Sequence, residues 1–77
     1  SRMSGLPVLS GEKLCGILMR AGYRLHHQTG SHIILRQSAV PFHRLTIPNH
    51  KEISVGTLRA ILRQAGLTVD EFRTLMG

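Results

Sequence analysis

The stretch Tyr23-Arg24-Leu25-His26-His27-Gln28-Thr29-Gly30-Ser31-His32-Ile33-Ile34-Leu35-Arg36 decides how this chain folds. From Tyr23 to Gln28 the residues alternate, with Tyr23, Leu25 and His27 on one side and Arg24, His26 and Gln28 on the other. That is the two-residue period of a strand. Thr29-Gly30 supplies a tight turn, with Gly30 free to take positive φ. Ser31 to Arg36 is rich in aliphatic and β-branched residues and reads as a second strand. The hairpin so predicted carries His32 at the mouth of its second strand, just past the turn. A strand end holds a side chain still, and a turn leaves it open to a partner.

On the N-terminal side of the hairpin, Ser10 caps a first helix and Glu12 sits in its first turn, where the helix dipole favours an anion. Leu14, Ile17, Leu18 and Ala21 recur at helical spacing, and Gly22 supplies the stop. Gly16 inside this helix costs roughly 1 kcal/mol against alanine, so close packing is expected there. Beyond the hairpin, Pro41 argues against strand pairing in the loop 37–42. His43 to Ile47 then read as a third strand, closed by Pro48. Ser54 caps a second helix with the stripe Leu58, Ile61, Leu62 and Ala65, stopped by Gly66. Thr68 with Glu71 is a capping box that opens a short final helix through Met76. The class is α+β, in the order α-β-β-β-α with a helical tail. Helices must cover one face of a three-stranded antiparallel sheet, because one layer alone cannot bury its apolar side. This is the plan of a double-stranded-RNA-binding domain.

Residues 1–77 make one small domain with a single two-layer core. Ser1-Arg2 ahead of Met3 reads as a cloning remnant, with the natural start at Met3. No apolar h-region follows the N-terminal basic residue, and no apolar run approaches the ~20 residues of a membrane span, so neither a secretory leader nor a membrane is expected. Ten Lys+Arg stand against four Asp+Glu, for a formal charge of +6 and a pI near 11.2. Such a surface concentrates polyphosphate and speeds its encounter, which points to nucleic acid. The single cysteine, Cys15, excludes an internal disulfide and fits a reducing cytoplasm. Its place beside Leu14 and Ile17 makes it a packing residue rather than a catalytic thiol.

The acids Glu12, Glu52, Asp70 and Glu71 fall in separate elements or solvent-facing turns, with no spacing that gathers magnesium. There is no glycine-rich phosphate loop and no Cys/His zinc framework, so neither a cofactor nor a metal is expected. What remains is metal-free phosphoryl chemistry. RNA carries its own nucleophile, the 2′-hydroxyl, beside every scissile phosphate. The protein need supply only a base, an acid and cations, and imidazole serves as either base or acid near neutrality. His32 is the candidate. A two-residue turn at Thr29-Gly30 makes His27 its direct cross-strand neighbour, with Cβ atoms about 5 Å apart; a bulge or longer loop puts the two on opposite faces. His26 and His43 read as surface positions. His50 and Lys51 precede the second helix, whose N-terminal amides favour a phosphate, and could clamp an RNA backbone there. Arg59 and Arg63, four residues apart on the exposed side of that helix, could track the same backbone.

With Gly30-Ser31-His32, then Ile47-Pro48-Asn49-His50-Lys51-Glu52-Ile53, then Gly56-Thr57-Leu58-Arg59-Ala60-Ile61-Leu62-Arg63-Gln64-Ala65-Gly66-Leu67, the chain resembles HicA-type toxins from about Leu6 to its C-terminus. The resemblance implies the double-stranded-RNA-binding-like fold already expected. It also implies ribosome-independent mRNA cleavage (an mRNA interferase), His32 as the catalytic residue, and a HicB-type antitoxin as partner. Gly30, Ser31, His50, Lys51, Arg59 and Arg63 are the expected RNA-binding residues. One departure is Ile33, where many relatives carry a second histidine; the second proton carrier therefore stays unassigned. The competing expectation is a module of the same fold that binds double-stranded RNA without cutting it.

Overall fold

A computed structural model describes residues 6–77 and runs α1 (Gly11–Met19), β1 (Tyr23–Gln28), β2 (His32–Gln37), β3 (Arg44–Pro48), α2 (Val55–Ala65) and α3 (Val69–Met76). The cloning remnant expected at Ser1-Arg2 and the start expected at Met3 lie outside these described residues. The strands form an antiparallel sheet in the order β1-β2-β3. All the helices lie on one side of it: α1 touches each strand, α2 rests on β3 and α3 packs on α1. The expected α+β arrangement, α-β-β-β-α with a further short helix, is therefore present.

Local chemistry explains each boundary. The Ser10 hydroxyl accepts from the Lys13 amide at 3.1 Å, and Ser54 does the same for Thr57 at 3.2 Å. At α3 the capping box closes both ways, through Glu71 N–H to Thr68 Oγ1 at 3.0 Å and Thr68 N–H to Glu71 Oε1 at 2.8 Å. Gly66 ends α2 at φ 73°, a left-handed conformation that costs glycine little. Arg20 joins the ends of two helices, donating from Nη1 to the carbonyls of Leu75 at 2.6 Å and Met76 at 3.3 Å.

The core is one cluster. Leu14, Cys15, Ile17 and Leu18 of α1 meet Tyr23, Ile33, Leu35, Leu45 and Ile47 of the sheet, and Leu58, Ile61, Leu62 and Phe72 close it. Each fully buried aliphatic side chain contributes about 1.5–3 kcal/mol relative to exposure. Every buried strand residue therefore faces the helices, and the opposite face of the sheet is left bare.

Three expectations are corrected. The hairpin turn is Gly30-Ser31 rather than Thr29-Gly30, since Thr29 N–H donates to the His32 carbonyl at 2.9 Å. Strand β1 also bulges between Leu25 and His27, so that His27 pairs with Ile34 while Leu25 pairs with Leu35. The extra residue resets the alternation: Leu25 stays level with Leu35 and Gln28 with Ile33, while Arg24 and His27 stand opposite the bare-face residues Arg36 and Ile34. Gly16, expected to be closely packed, is exposed, and a Cβ there meets nothing within 4 Å. The close approach belongs to Gly11, where a Cβ would collide with the Pro48 carbonyl oxygen. Pro48 itself is the last residue of β3, opposite His32, an edge place that tolerates a missing N–H.

Candidate functional site

His32 opens β2, is exposed, and lies on the bare face of the sheet with Ile34 and Arg36. Its backbone is pinned to Thr29: His32 N–H donates to Thr29 Oγ1 at 3.0 Å, and the His32 carbonyl accepts from Thr29 N–H. The ring is oriented by its own neighbour, with Ser31 Oγ at 3.1 Å from His32 Nδ1. A hydroxyl can donate or accept, so this one contact serves either tautomer of the imidazole. Nε2 has no partner among the described residues.

The turn is held from the other side of the sheet end. Asn49 N–H donates to the Ser31 carbonyl at 2.9 Å, and Asn49 Nδ2 reaches the Gly30 carbonyl at 3.5 Å. Gly30, Ser31 and His32 are thus tied to the loop that carries His50 and Lys51. That loop leans on α1, not on the N-terminus of α2 as the sequence suggests: Gly11 N–H donates to the His50 carbonyl at 2.9 Å. Ser10, Glu12, Asn49, His50 and Lys51 line a shallow hollow of about 320 Å³ there. His50 and Lys51 are both exposed.

Arg59 and Arg63 stand apart from this cluster. Both are exposed on α2, without hydrogen-bond or ionic partners among the described residues, beside a hollow shared with Leu62, Leu67, Thr68 and Val69. His27 matches neither arrangement weighed from sequence. It shares the bare face with His32 but sits opposite Ile34, so the two imidazoles are diagonal rather than paired.

One feature escapes sequence reading altogether. The register places Arg24 opposite Arg36 and Arg36 opposite Arg44, a row of three arginines across the bare face. The spacing between strands carries this information, and no local pattern contains it.

Elsewhere, burial first and the Glu12 carboxylate second push the Cys15 thiol up to about 11, which keeps it protonated and inert at neutral pH. Among the described residues no three His, Cys, Asp or Glu side chains gather as a metal site. No helix among them is long and apolar enough to cross a membrane.

Comparison with known proteins places these features in a family. No curated protein and no solved structure matches the chain. The family described as "HicA toxin of bacterial toxin-antitoxin" matches residues 11–67, which takes in the caps of α2, the hairpin with His32, and the loop bearing His50 and Lys51. A match over well more than half of its length means that the chain belongs to the HicA family, the toxins of bacterial toxin–antitoxin pairs.

Proposed function

We propose that this toxin is a metal-independent endoribonuclease that cleaves mRNA, with His32 as its general acid–base. The observation that carries the reading is an exposed imidazole whose Nδ1 is held by Ser31 and whose Nε2 is open, beside the loop of His50 and Lys51. Nε2 takes the proton of a ribose 2′-hydroxyl, and the 2′-oxygen attacks the adjacent phosphorus. The bond to the 5′-oxygen breaks, and that oxygen must gain a proton as it leaves. Since Ile33 occupies the place where many relatives carry a second histidine, another group delivers this proton. His27, on the same sheet face, and His50, on the adjoining loop, are the imidazoles available. Exposed Lys51 and the amides of the turn supply positive potential toward the charged phosphorane.

The partner is a HicB-type antitoxin that covers the exposed site and offsets the +6 charge in the cytoplasm. The reading is tested by incubating the protein with end-labelled single-stranded RNA in the presence and absence of EDTA. Equal cleavage in both, with fragments ending in a 2′,3′-cyclic phosphate, supports it; strict dependence on magnesium overturns it.

The second reading, a module that binds double-stranded RNA without cutting, draws on the exposed Arg59 and Arg63 of α2. Such modules read A-form shape through helix and loop cations. An RNA strand that is bound and stays whole favours it.

A further inference from the structure

We propose that the end of the sheet remote from His32 holds a second RNA subsite, in which Phe42 and Arg36 take an unpaired nucleobase and the phosphate beside it. This rests on the reading of RNA as the substrate, and extends it to how a strand lies on the protein.

Three independent features meet at this place. The first is the arginine row. Like charges placed directly opposite one another on a sheet are destabilising, yet Arg24, Arg36 and Arg44 stand in line and none of the four acids of the chain lies on a strand. The Arg24 guanidinium is partly engaged, donating from Nη1 to the carbonyls of Tyr23 at 2.8 Å and Met19 at 3.2 Å. Among the described residues Arg36 has no hydrogen-bond or ionic partner beyond its stacking on Phe42, which leaves its fork for phosphate.

The second feature is Phe42. It is 41% exposed and adopts φ 60°, a left-handed conformation that is costly for an aromatic residue. The surrounding loop enforces it: Phe42 N–H donates to the Ala39 carbonyl at 2.8 Å, and Gln37 brackets the loop through His43 N–H to Gln37 Oε1 at 3.0 Å. The Arg36 guanidinium lies 4.7 Å from the ring centroid. An exposed ring stacked with an unpaired guanidinium is the pairing on which single-stranded nucleic acid bases settle.

The third feature is the β1 bulge at His26, two residues along the strand from the Arg24–Arg36 pair. Arg24, Leu25, His26, Arg36 and Phe42 are among the residues around a hollow of about 230 Å³ here. Arg36 follows His32 by four places in one straight strand, about 13 Å at the usual rise per residue. An oligonucleotide of a few residues can bridge that span along the bare face, whereas a dinucleotide at His32 cannot. An acidic protein could neutralise the same arginines, but the exposed ring held at a strained φ favours a base.

The test uses a 2′-O-methyl octanucleotide, which binds but cannot be cleaved, and measures its affinity by fluorescence anisotropy at low salt. Phe42→Ala should weaken binding about tenfold, and Phe42→Tyr should restore it. Arg36→Gln should lower the salt slope by about one. For cleavage, Phe42→Ala should raise KM on a long RNA with kcat within about twofold, and leave a dinucleotide substrate unaffected. Unchanged octanucleotide affinity in correctly folded variants overturns the subsite, as does an equal loss on long and short RNA. Variants that lose affinity only for an acidic protein partner overturn it as well. Octanucleotide binding that depends on Phe42, in a protein that cuts no RNA, would sustain the subsite and reject the nuclease reading instead.

Discussion

The amide of Gly11, the first residue of α1, donates to the carbonyl of His50 at 2.9 Å. Through this bond, and through the contact of Gly11 with Pro48, the start of the first helix sets the height of the loop that borders His32. Asn49 then passes that placement to the hairpin turn through its bond to Ser31. The site is thus assembled from three distant parts of the chain.

Gly11→Ala is expected to disturb the site more than the fold. A Cβ there meets the Pro48 carbonyl oxygen and comes within 3.2 Å of Asn49 Cα, both backbone atoms that cannot swing away. The expected outcome is a loss of about 1–3 kcal/mol in urea unfolding, with RNA cleavage reduced at temperatures where the variant remains folded. Wild-type cleavage in this variant would mean that the loop position is irrelevant.

Gly16→Ala should do the reverse. Gly16 is an interior helix residue with open space around it, so alanine gains helix propensity at no steric cost. Thermal unfolding should show stabilisation by about 0.5–1 kcal/mol, with cleavage unchanged.

Tyr23 is 2% exposed and its hydroxyl has no partner among the described residues, while burial raises its pKa. An unpaired buried hydroxyl costs folding free energy. Tyr23→Phe should therefore be neutral or stabilising by up to about 1 kcal/mol in denaturant titration. A clear loss of stability would reveal a partner for the hydroxyl.

Cys15 gives the fold an alkaline limit. Its thiol is raised from 9.0 to about 11 in the folded chain, first by burial and then by Glu12. Above pH 9 the unfolded chain releases this proton while the folded chain retains it, so stability falls as pH rises from 9 towards 11. The stability of wild type relative to Cys15→Ala should decline by about 2–3 kcal/mol across that window, and stay constant below it.

The helices and strands were largely legible, because caps such as Ser10, Ser54 and the Thr68–Glu71 box are local chemistry. His32 was legible as a strand-end residue after a turn for the same reason. What could not be read was register. Whether the turn falls at Thr29-Gly30 or Gly30-Ser31, and whether β1 carries an extra residue at His26, is settled by packing of Tyr23, Ile33 and Leu35 against the helices. The extra residue puts Tyr23 and His27 on opposite sides and lines up Arg24 with Arg36. The neighbour of His50 differs from the sequence expectation for a related reason: adjacency in sequence favours α2, whereas a small residue at Gly11 lets α1 come close.

The most direct measurement is single-turnover cleavage of one RNA by wild type and by His32→Ala, with circular dichroism and octanucleotide binding recorded on both proteins. The expected result is a fall in rate of at least about a hundredfold, with fold and RNA affinity retained. Cleavage by folded His32→Ala at the wild-type rate would contradict the assignment of His32 as the proton-transferring group.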